Sequence, residues 1–75
     1  MTRPDKSLTA VGKALRTVRE QRSLTIETVA AESGVPAMKL AAYEAGTAEV
    51  TLLEVCAFAK AMGTTASDIF REAGI

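Results

Sequence analysis

Basic side chains are concentrated at the start of the chain and are its clearest chemical feature. The 75 residues include nine Lys or Arg and nine Asp or Glu, so the formal net charge is zero. Residues 1–22 nevertheless carry a net charge of +4, and residues 23–75 carry a net charge of −4. A local excess of positive charge favours contact with polyanions, although a basic helix face is often only a solvated surface.

Catalysis and metal binding need residue types that this sequence lacks. There is no histidine, and Cys56 is the one cysteine, so zinc sites and Cys–His or Ser–His–Asp catalysis are excluded. No glycine-rich phosphate loop or carboxylate pair is evident. We therefore expect neither an enzyme nor a metal or cofactor, and we expect Cys56 to be a small, buried or half-buried helix residue.

The length and hydropathy of the chain indicate a single small domain. No stretch approaches the roughly 18 apolar residues of a membrane span, and residues 1–7 are polar and lack a signal-peptide core. We expect a cytoplasmic location and no membrane partner. Residues 1–7 are expected to form a flexible arm, and residues 8–75 a single domain.

Apolar residues recur at helical spacing, and no alternation typical of a strand is present. The first helix is predicted over about residues 8–22, with Ser7 as its N-cap. The second is predicted over about residues 25–33, capped by Thr25 and ended by Gly34 in the left-handed conformation. The residues predicted to face inward from these two helices are Leu8, Val11, Leu15, Val18, Val29 and Ala30.

A very short turn, residues 33–35, joins the second helix to a third helix predicted over about residues 36–44. Pro36 is expected in the first helical position, where its missing N–H costs nothing, and Leu40 and Tyr43 are expected to face inward. A turn this short forces the two helices to cross steeply. The sequence therefore predicts a helix-turn-helix.

Two further helices are predicted from capping patterns. Thr51 and Glu54 form a capping box that opens the fourth helix, which ends at Gly63. Thr65 opens a last helix with a similar pattern, ended by Gly74. The fourth helix is expected to bury Leu52, Val55, Phe58, Ala59 and Met62, and the last helix carries Ile69 and Phe70.

One ungapped series of residues matches a known family over about Gly12 to Phe70. The matching residues are Leu15, Arg19, Leu24-Thr25, Val29-Ala30, Gly34-Val35, Leu40, Tyr43-Glu44, Gly46, Leu52, Val55, Ala59-Lys60-Ala61-Met62-Gly63 and Ile69-Phe70. On these residues the chain resembles the phage repressor/Cro-like (Xre) helix-turn-helix proteins. The resemblance implies an all-α, five-helix, lambda repressor-like domain. It also implies a sequence-specific DNA-binding transcriptional regulator of the Cro/C1 repressor type, acting as a homodimer on a two-fold operator of double-stranded DNA.

The resemblance also assigns roles to individual residues. Arg19 and Glu44 would form a structural bridge. The third helix would enter the major groove with Lys39 as the main base reader. Because a monomer this small contacts too few bases for useful specificity, we also expect the fifth helix to supply a dimer contact through Ile69, Phe70 and Ile75. The full set of expected DNA-binding residues is Thr25, Ile26, Ala37, Met38, Lys39, Ala42, Thr47, Lys13 and Arg16.

Within this set the threonines, Thr25 and Thr47, would hold phosphates together with neighbouring backbone amides. Met38 and Ala42 would shape the contact beside Lys39. Lys13 and Arg16 would add positive charge from the first helix.

The recognition surface departs from the family pattern. Ile26 replaces the glutamine that usually opens the second helix, and Lys39 is the only polar base reader on the expected face. Glu27 and Glu49 would lie near phosphates and repel them.

An alternative is a protein-binding domain, such as an antiactivator or antirepressor, whose partner contacts an apolar patch on the third-helix face. The patch comprises Ile26, Ala37, Met38, Ala41 and Ala42. Alanine is also a strong helix former that often fills surface positions without function.

Overall fold

Five helices and no strand are present in residues 4–74, the part of the chain that the structure, a computed structural model, describes; side chains are described from residue 9 onward. The helices are α1 (Pro4–Gln21), α2 (Ile26–Ser33), α3 (Ala37–Ala45), α4 (Leu52–Ala61) and α5 (Ala66–Glu72). This arrangement confirms the predicted all-α, five-helix architecture. Within the described residues, no helix combines the length and the apolar character needed to cross a membrane.

Helix α1 starts earlier than the sequence indicated. It begins at Pro4 rather than near residue 8, because proline suits the first turn, where an N–H would have no helical partner. The first three residues of the predicted arm lie outside the described residues. At its other end the chain leaves α1 through Ser23, which has a left-handed φ of 56°. The Leu24 amide then donates to the Arg19 carbonyl at 3.1 Å.

Side-chain caps begin three of the helices. Thr25 Oγ1 accepts a hydrogen bond from the Thr28 amide at 3.1 Å and starts α2. Thr51 and Glu54 form the complete reciprocal box predicted for α4. Thr65 caps α5 by accepting from the Asp68 amide at 3.1 Å. The second box is only half formed, because the Asp68 carboxylate accepts from the Thr64 hydroxyl instead.

The turn between α2 and α3 depends on a glycine. Gly34 has φ +79°, a conformation that side chains with a Cβ rarely adopt, and its amide donates to the Ala30 carbonyl at 2.9 Å. The Ser33 hydroxyl then accepts from the Val35 amide at 3.2 Å. Pro36 is the N-cap of α3, so the helix begins one residue later than predicted.

Among the residues whose side chains are described, the core contains those that the helical spacing assigned to it, with two corrections; the side chain of Leu8 lies outside the described residues. The fully buried large side chains are Phe58, Leu15, Leu40, Ile69, Val29 and Val55. Leu52 was expected to be buried but is 64% exposed, and Cys56 is exposed as well. Both lie off the stripe of α4 that Val55 and Phe58 place against the core.

Helix α1 packs against α3 and α5, α2 packs against α3 and α4, and α4 packs against α5. Gly12 is buried where α1 meets α3. A Cβ atom at this position would overlap the Tyr43 carbonyl. The absence of a side chain at Gly12 therefore lets α3 lie close to α1.

Candidate nucleic-acid interface

The first turns of α3 present a mostly apolar outer surface. Met38 is 84% exposed, and Ala41 is exposed as well. Ala37 and Ala42 are half-buried. Lys39, with 54% of its side chain exposed, is the only cationic residue in the sequence of this helix. These positions follow from the Gly34 turn, which directs α3 away from α2, and from Leu40 and Tyr43, which hold its inner face in the core.

Lys39 forms an ion pair across the surface between α3 and α4. Its ammonium lies 2.9 Å from Glu54 Oε2 and 6.0 Å from the centre of the Tyr43 ring. The Tyr43 hydroxyl donates to Glu54 Oε1 at 2.7 Å. Thr51 donates to the same oxygen through its amide and its hydroxyl, each at 3.1 Å. Glu54 thus joins α3 to the cap of α4.

These contacts fix the protonation states of the cluster. Partial burial alone would raise the pKa of Glu54, but hydrogen bonds from Tyr43, Lys39 and Thr51 lower it to about 2. The hydrogen bond to Glu54 raises the pKa of Lys39. Burial, followed by the bond to Glu54, raises the pKa of Tyr43. At neutral pH the pair is therefore a carboxylate facing an ammonium.

A second ion pair attaches the end of α3 to α1. Arg19 Nε and Nη2 donate to the two carboxylate oxygens of Glu44 at 2.8 and 2.9 Å, a bidentate arrangement. Arg19 Nη1 donates to the Leu24 carbonyl at 2.8 Å. The two side chains are only 12% and 6% exposed, and the bond to Glu44 raises the pKa of Arg19. The bridge named from the resemblance joins α3 to both α1 and the segment before α2.

The residues expected to face phosphates lie at the starts of α2 and of the loop after α3. Thr25 is exposed, and its hydroxyl donates to Thr28 Oγ1 at 2.9 Å. Thr47 is exposed and donates to the Ala42 carbonyl through its amide at 3.0 Å and its hydroxyl at 3.3 Å. Ile26 differs from both because it is half-buried and packs against the core. It is therefore only partly available to DNA or to a protein partner.

The charged residues expected near DNA carry both signs. Lys13 and Arg16 are exposed on α1. Arg16 pairs with Glu20 of the same helix at 3.1 Å. Glu27, in the first turn of α2, and Glu49, in the loop before α4, are exposed. The described part of the chain holds no group of three or more His, Cys, Asp or Glu side chains able to bind a metal ion.

The residues expected to form the dimer contact have different environments. Ile69 is completely buried within its own molecule, so it cannot contact a second copy, and that expectation is wrong. Its burial arises because α5 packs on both α1 and α4. Phe70 is half-buried and lines an apolar groove with Val11, Val50, Leu52 and Val55. Ile75 lies outside the described residues.

Sequence reasoning missed the role of Glu54. It identified this residue only as the reciprocal member of a capping box, which occupies one carboxylate oxygen. Lys39 and Tyr43 are separated by one helical turn and so share a face of α3. The sequence did contain a pattern that could have indicated the pair. Lys39 and Tyr43 lie on one face of a helix, and the capping box leaves one carboxylate oxygen of Glu54 without a capping contact. The packing that brings them together is not local and could not be deduced from spacing.

Comparison with protein families agrees with the fold. A family model described as a helix-turn-helix domain matches residues 10–69. The chain belongs to this family. It is of the phage repressor/Cro-like (Xre) type, as the residue pattern indicated. Comparison with curated protein sequences gives no match.

Solved structures of a gene regulator and of a controller protein are similar to this chain. One is the clp gene regulator ClgR from C. glutamicum, with 29% identity, a TM-score of 0.85, and coverage of 91% of this chain and 87% of that chain. A second ClgR structure gives 29% identity and a TM-score of 0.86, covering 91% of this chain and 72% of that chain. The other is the restriction-modification controller protein C.AhdI from Aeromonas hydrophila. It has 27% identity and a TM-score of 0.78, with coverage of 83% of this chain and 94% of that chain.

Proposed function

We propose that this chain is a sequence-specific DNA-binding transcriptional regulator that acts as a homodimer on a two-fold operator. The observation that carries the proposal is the exposed face of α3. Met38 is exposed and Lys39 is half-exposed on this face, and Gly34 and the Arg19–Glu44 bridge hold the helix at a fixed angle. Similarity to ClgR, a gene regulator, and to C.AhdI, a controller protein, supports the same function. The activity is binding without catalysis, and we place it in the cytoplasm.

In this proposal α3 lies in the major groove. Lys39 donates to base acceptors, and Met38 and Ala42 contact thymine methyl groups. Thr25 and Thr47, with the neighbouring backbone amides, contact phosphates on either side. Ala37 and Ile26 line the same surface. Lys13 and Arg16 attract the backbone from α1.

A salt series of fluorescence anisotropy tests the proposal, with the duplex upstream of the protein's own gene compared with a scrambled duplex. We expect tight binding to the native duplex, with an affinity that falls steeply as salt rises. Lys39→Ala should reduce discrimination between the two duplexes by about 1 kcal/mol or more. Lys60→Ala, which removes the same charge from the last turn of α4, should leave that ratio unchanged. Weak and equal binding to both duplexes at low salt would overturn the proposal.

The high exposure of Met38 favours a second candidate function, contact with a protein partner on the α3 face. The patch is smaller than the sequence indicated, because Ile26 packs against the core and Ala37 and Ala42 are half-buried. The two functions differ in their response to Met38→Glu and Lys39→Ala. A protein contact would be lost with Met38→Glu and barely altered by Lys39→Ala, as measured by pull-down of the partner.

A further inference from the structure

The one cation of the recognition helix is held against the body of the protein. The Lys39 ammonium lies 2.9 Å from Glu54 Oε2, whereas Met38 beside it is 84% exposed. A lysine directed only at DNA would extend into solvent on its flexible stem. The structure instead places the charge of Lys39 on a carboxylate of the next helix.

Glu54 is a fixed partner for this lysine. Its Oε1 accepts from the Tyr43 hydroxyl at 2.7 Å and from the Thr51 amide and hydroxyl at 3.1 Å. The Glu54 side chain is only 16% exposed, whereas that of Lys39 is 54% exposed. The carboxylate is therefore anchored in the protein, and the lysine is the more exposed member of the pair.

Helix capping does not by itself require a charge at position 54. Glutamine serves the capping box as well as glutamate does, because only one oxygen must accept from the N-cap amide. Here that function uses Oε1, whereas Lys39 uses Oε2. The negative charge of Glu54 thus has a consequence for Lys39 that is separate from the cap.

We infer that Glu54 is a specificity-determining, positioning residue: by holding Lys39, it withdraws the only cation of α3 from sequence-independent attraction to phosphates. This inference rests on the proposed DNA-binding function. A lysine ammonium has three N–H donors, so two donors of Lys39 remain for base acceptors while one bonds Glu54. A half-exposed ion pair is also weak enough to exchange partners when a well-placed base competes for the lysine. A scrambled sequence does not place a matching acceptor opposite Lys39, and Lys39 then stays on Glu54.

The test is Glu54→Gln, which keeps an oxygen for Tyr43 and Thr51 and replaces the charged oxygen facing Lys39 with an uncharged NH2 group that cannot accept from it. Binding is measured by anisotropy over a salt series on the native and scrambled duplexes. We expect affinity for the scrambled duplex to rise several-fold. The slope of log affinity against log salt should steepen by about one, the value for one further phosphate contact. The ratio of native to scrambled affinity should fall.

Two controls separate this effect from simple removal of a negative charge near DNA. Glu49→Gln removes an exposed charge from the loop between α3 and α4 and should raise both affinities alike, without changing their ratio. In a Lys39→Gln background, Glu54→Gln should no longer alter the ratio or the slope. Persistence of the effect without Lys39 would show direct repulsion by Glu54 and would overturn the inference.

The ion pair itself is measured without DNA. A ¹³Cε NMR titration should give Lys39 a raised pKa in the wild type and a lower pKa in Glu54→Gln than in the wild type. Tyr43→Phe, which removes one donor to Glu54 and keeps the aromatic ring against Phe58, should move the DNA-binding ratio in the same direction by a smaller amount. Tyr43→Phe tests the inference if Glu54→Gln does not fold.

The possible failures are distinguishable. A wild-type protein that binds neither duplex overturns the proposed function and this inference with it. A wild type that discriminates normally, together with variants whose ratio and slope are unchanged, overturns only the inference. An unshifted Lys39 pKa in the wild type also overturns it, because the lysine would then not be held.

Discussion

Arg19 is the residue whose chemistry most directly determines where the recognition helix lies. Its guanidinium makes three hydrogen bonds, two to Glu44 at the end of α3 and one to the Leu24 carbonyl before α2. Guanidinium geometry matches a carboxylate, so the contact fixes direction as well as distance. Because both side chains are almost buried, water cannot replace the lost partner if either residue is removed, and the remaining charge stays unpaired.

Arg19→Met should therefore destabilise the protein by about 3 kcal/mol, at the lower end of the range for breaking a buried pair. The unpaired Glu44 carboxylate causes most of the loss. The double variant Arg19→Met with Glu44→Leu should recover most of it, because no buried charge remains. Arg16→Met, which breaks an exposed pair within α1, should cost less than about 0.5 kcal/mol. Urea unfolding followed by circular dichroism measures all three. A cost for Arg19→Met equal to that for Arg16→Met would contradict this account.

At the scale of the helices, the crossing of α1 and α3 depends on Gly12. Glycine in a helix interior normally costs about 1 kcal/mol relative to alanine, so its presence needs a reason. The reason is the Tyr43 carbonyl, which a Cβ atom at position 12 would overlap. The helix backbone at this carbonyl cannot move without shifting Tyr43, which contacts Phe58 and Glu54.

Gly12→Ala should destabilise the fold even though alanine is the better helix former. We expect a net loss of about 1–3 kcal/mol from overpacking, seen as a lower urea midpoint with an unchanged slope. Lys13→Ala, at the next and exposed position of α1, should change stability by no more than about 0.5 kcal/mol. A Gly12→Ala protein more stable than the wild type would mean that α3 can move away from α1 at little cost. In that case DNA binding should weaken while stability rises.

Features that depend on neighbouring residues were predictable from the sequence. The caps at Thr25 and Thr51 and the glycine turn at Gly34 involve contacts within a few residues, and all three occur as expected. Leu52 and Cys56 were misplaced because an apolar residue in a short helix does not reveal which face is covered. Tertiary packing decides that burial.

The candidate site was predictable in outline but not in its contacts. The resemblance named Lys39 as the base reader, and the structure places Lys39 at the surface of α3. Its ion pair with Glu54 joins α3 to α4, and Tyr43 of α3 bonds the same carboxylate. The spacing of these residues in the sequence does not predict that the two helices lie close enough for these contacts. The need for glycine at position 12 could not be predicted from spacing either, because it arises from the Tyr43 carbonyl of α3.

At the scale of the whole molecule, the size of one chain limits the number of base pairs that it can contact. The described residues span 38 × 23 × 19 Å, and α3 has nine residues, a length of about 13 Å. One such helix contacts only a few base pairs, too few for a specific site in a genome. Two-fold operators place equivalent half-sites about 34–36 Å apart. A pair of chains of this size, each with one recognition helix, fits that spacing.

If the chain acts as a homodimer, its affinity for the operator must depend on the separation of the half-sites. Inserting five base pairs between them rotates one half-site by half a helical turn, so one dimer can no longer place both α3 helices in the major groove. Affinity should then fall by about 100-fold or more, toward that of an isolated half-site, because the second contact is no longer intramolecular. The same insertion outside the operator should have no effect. Anisotropy on the three duplexes, with sedimentation to count chains per operator, measures this. Equal affinity for all three duplexes, with independent binding of single chains, would mean that each domain reads its half-site alone.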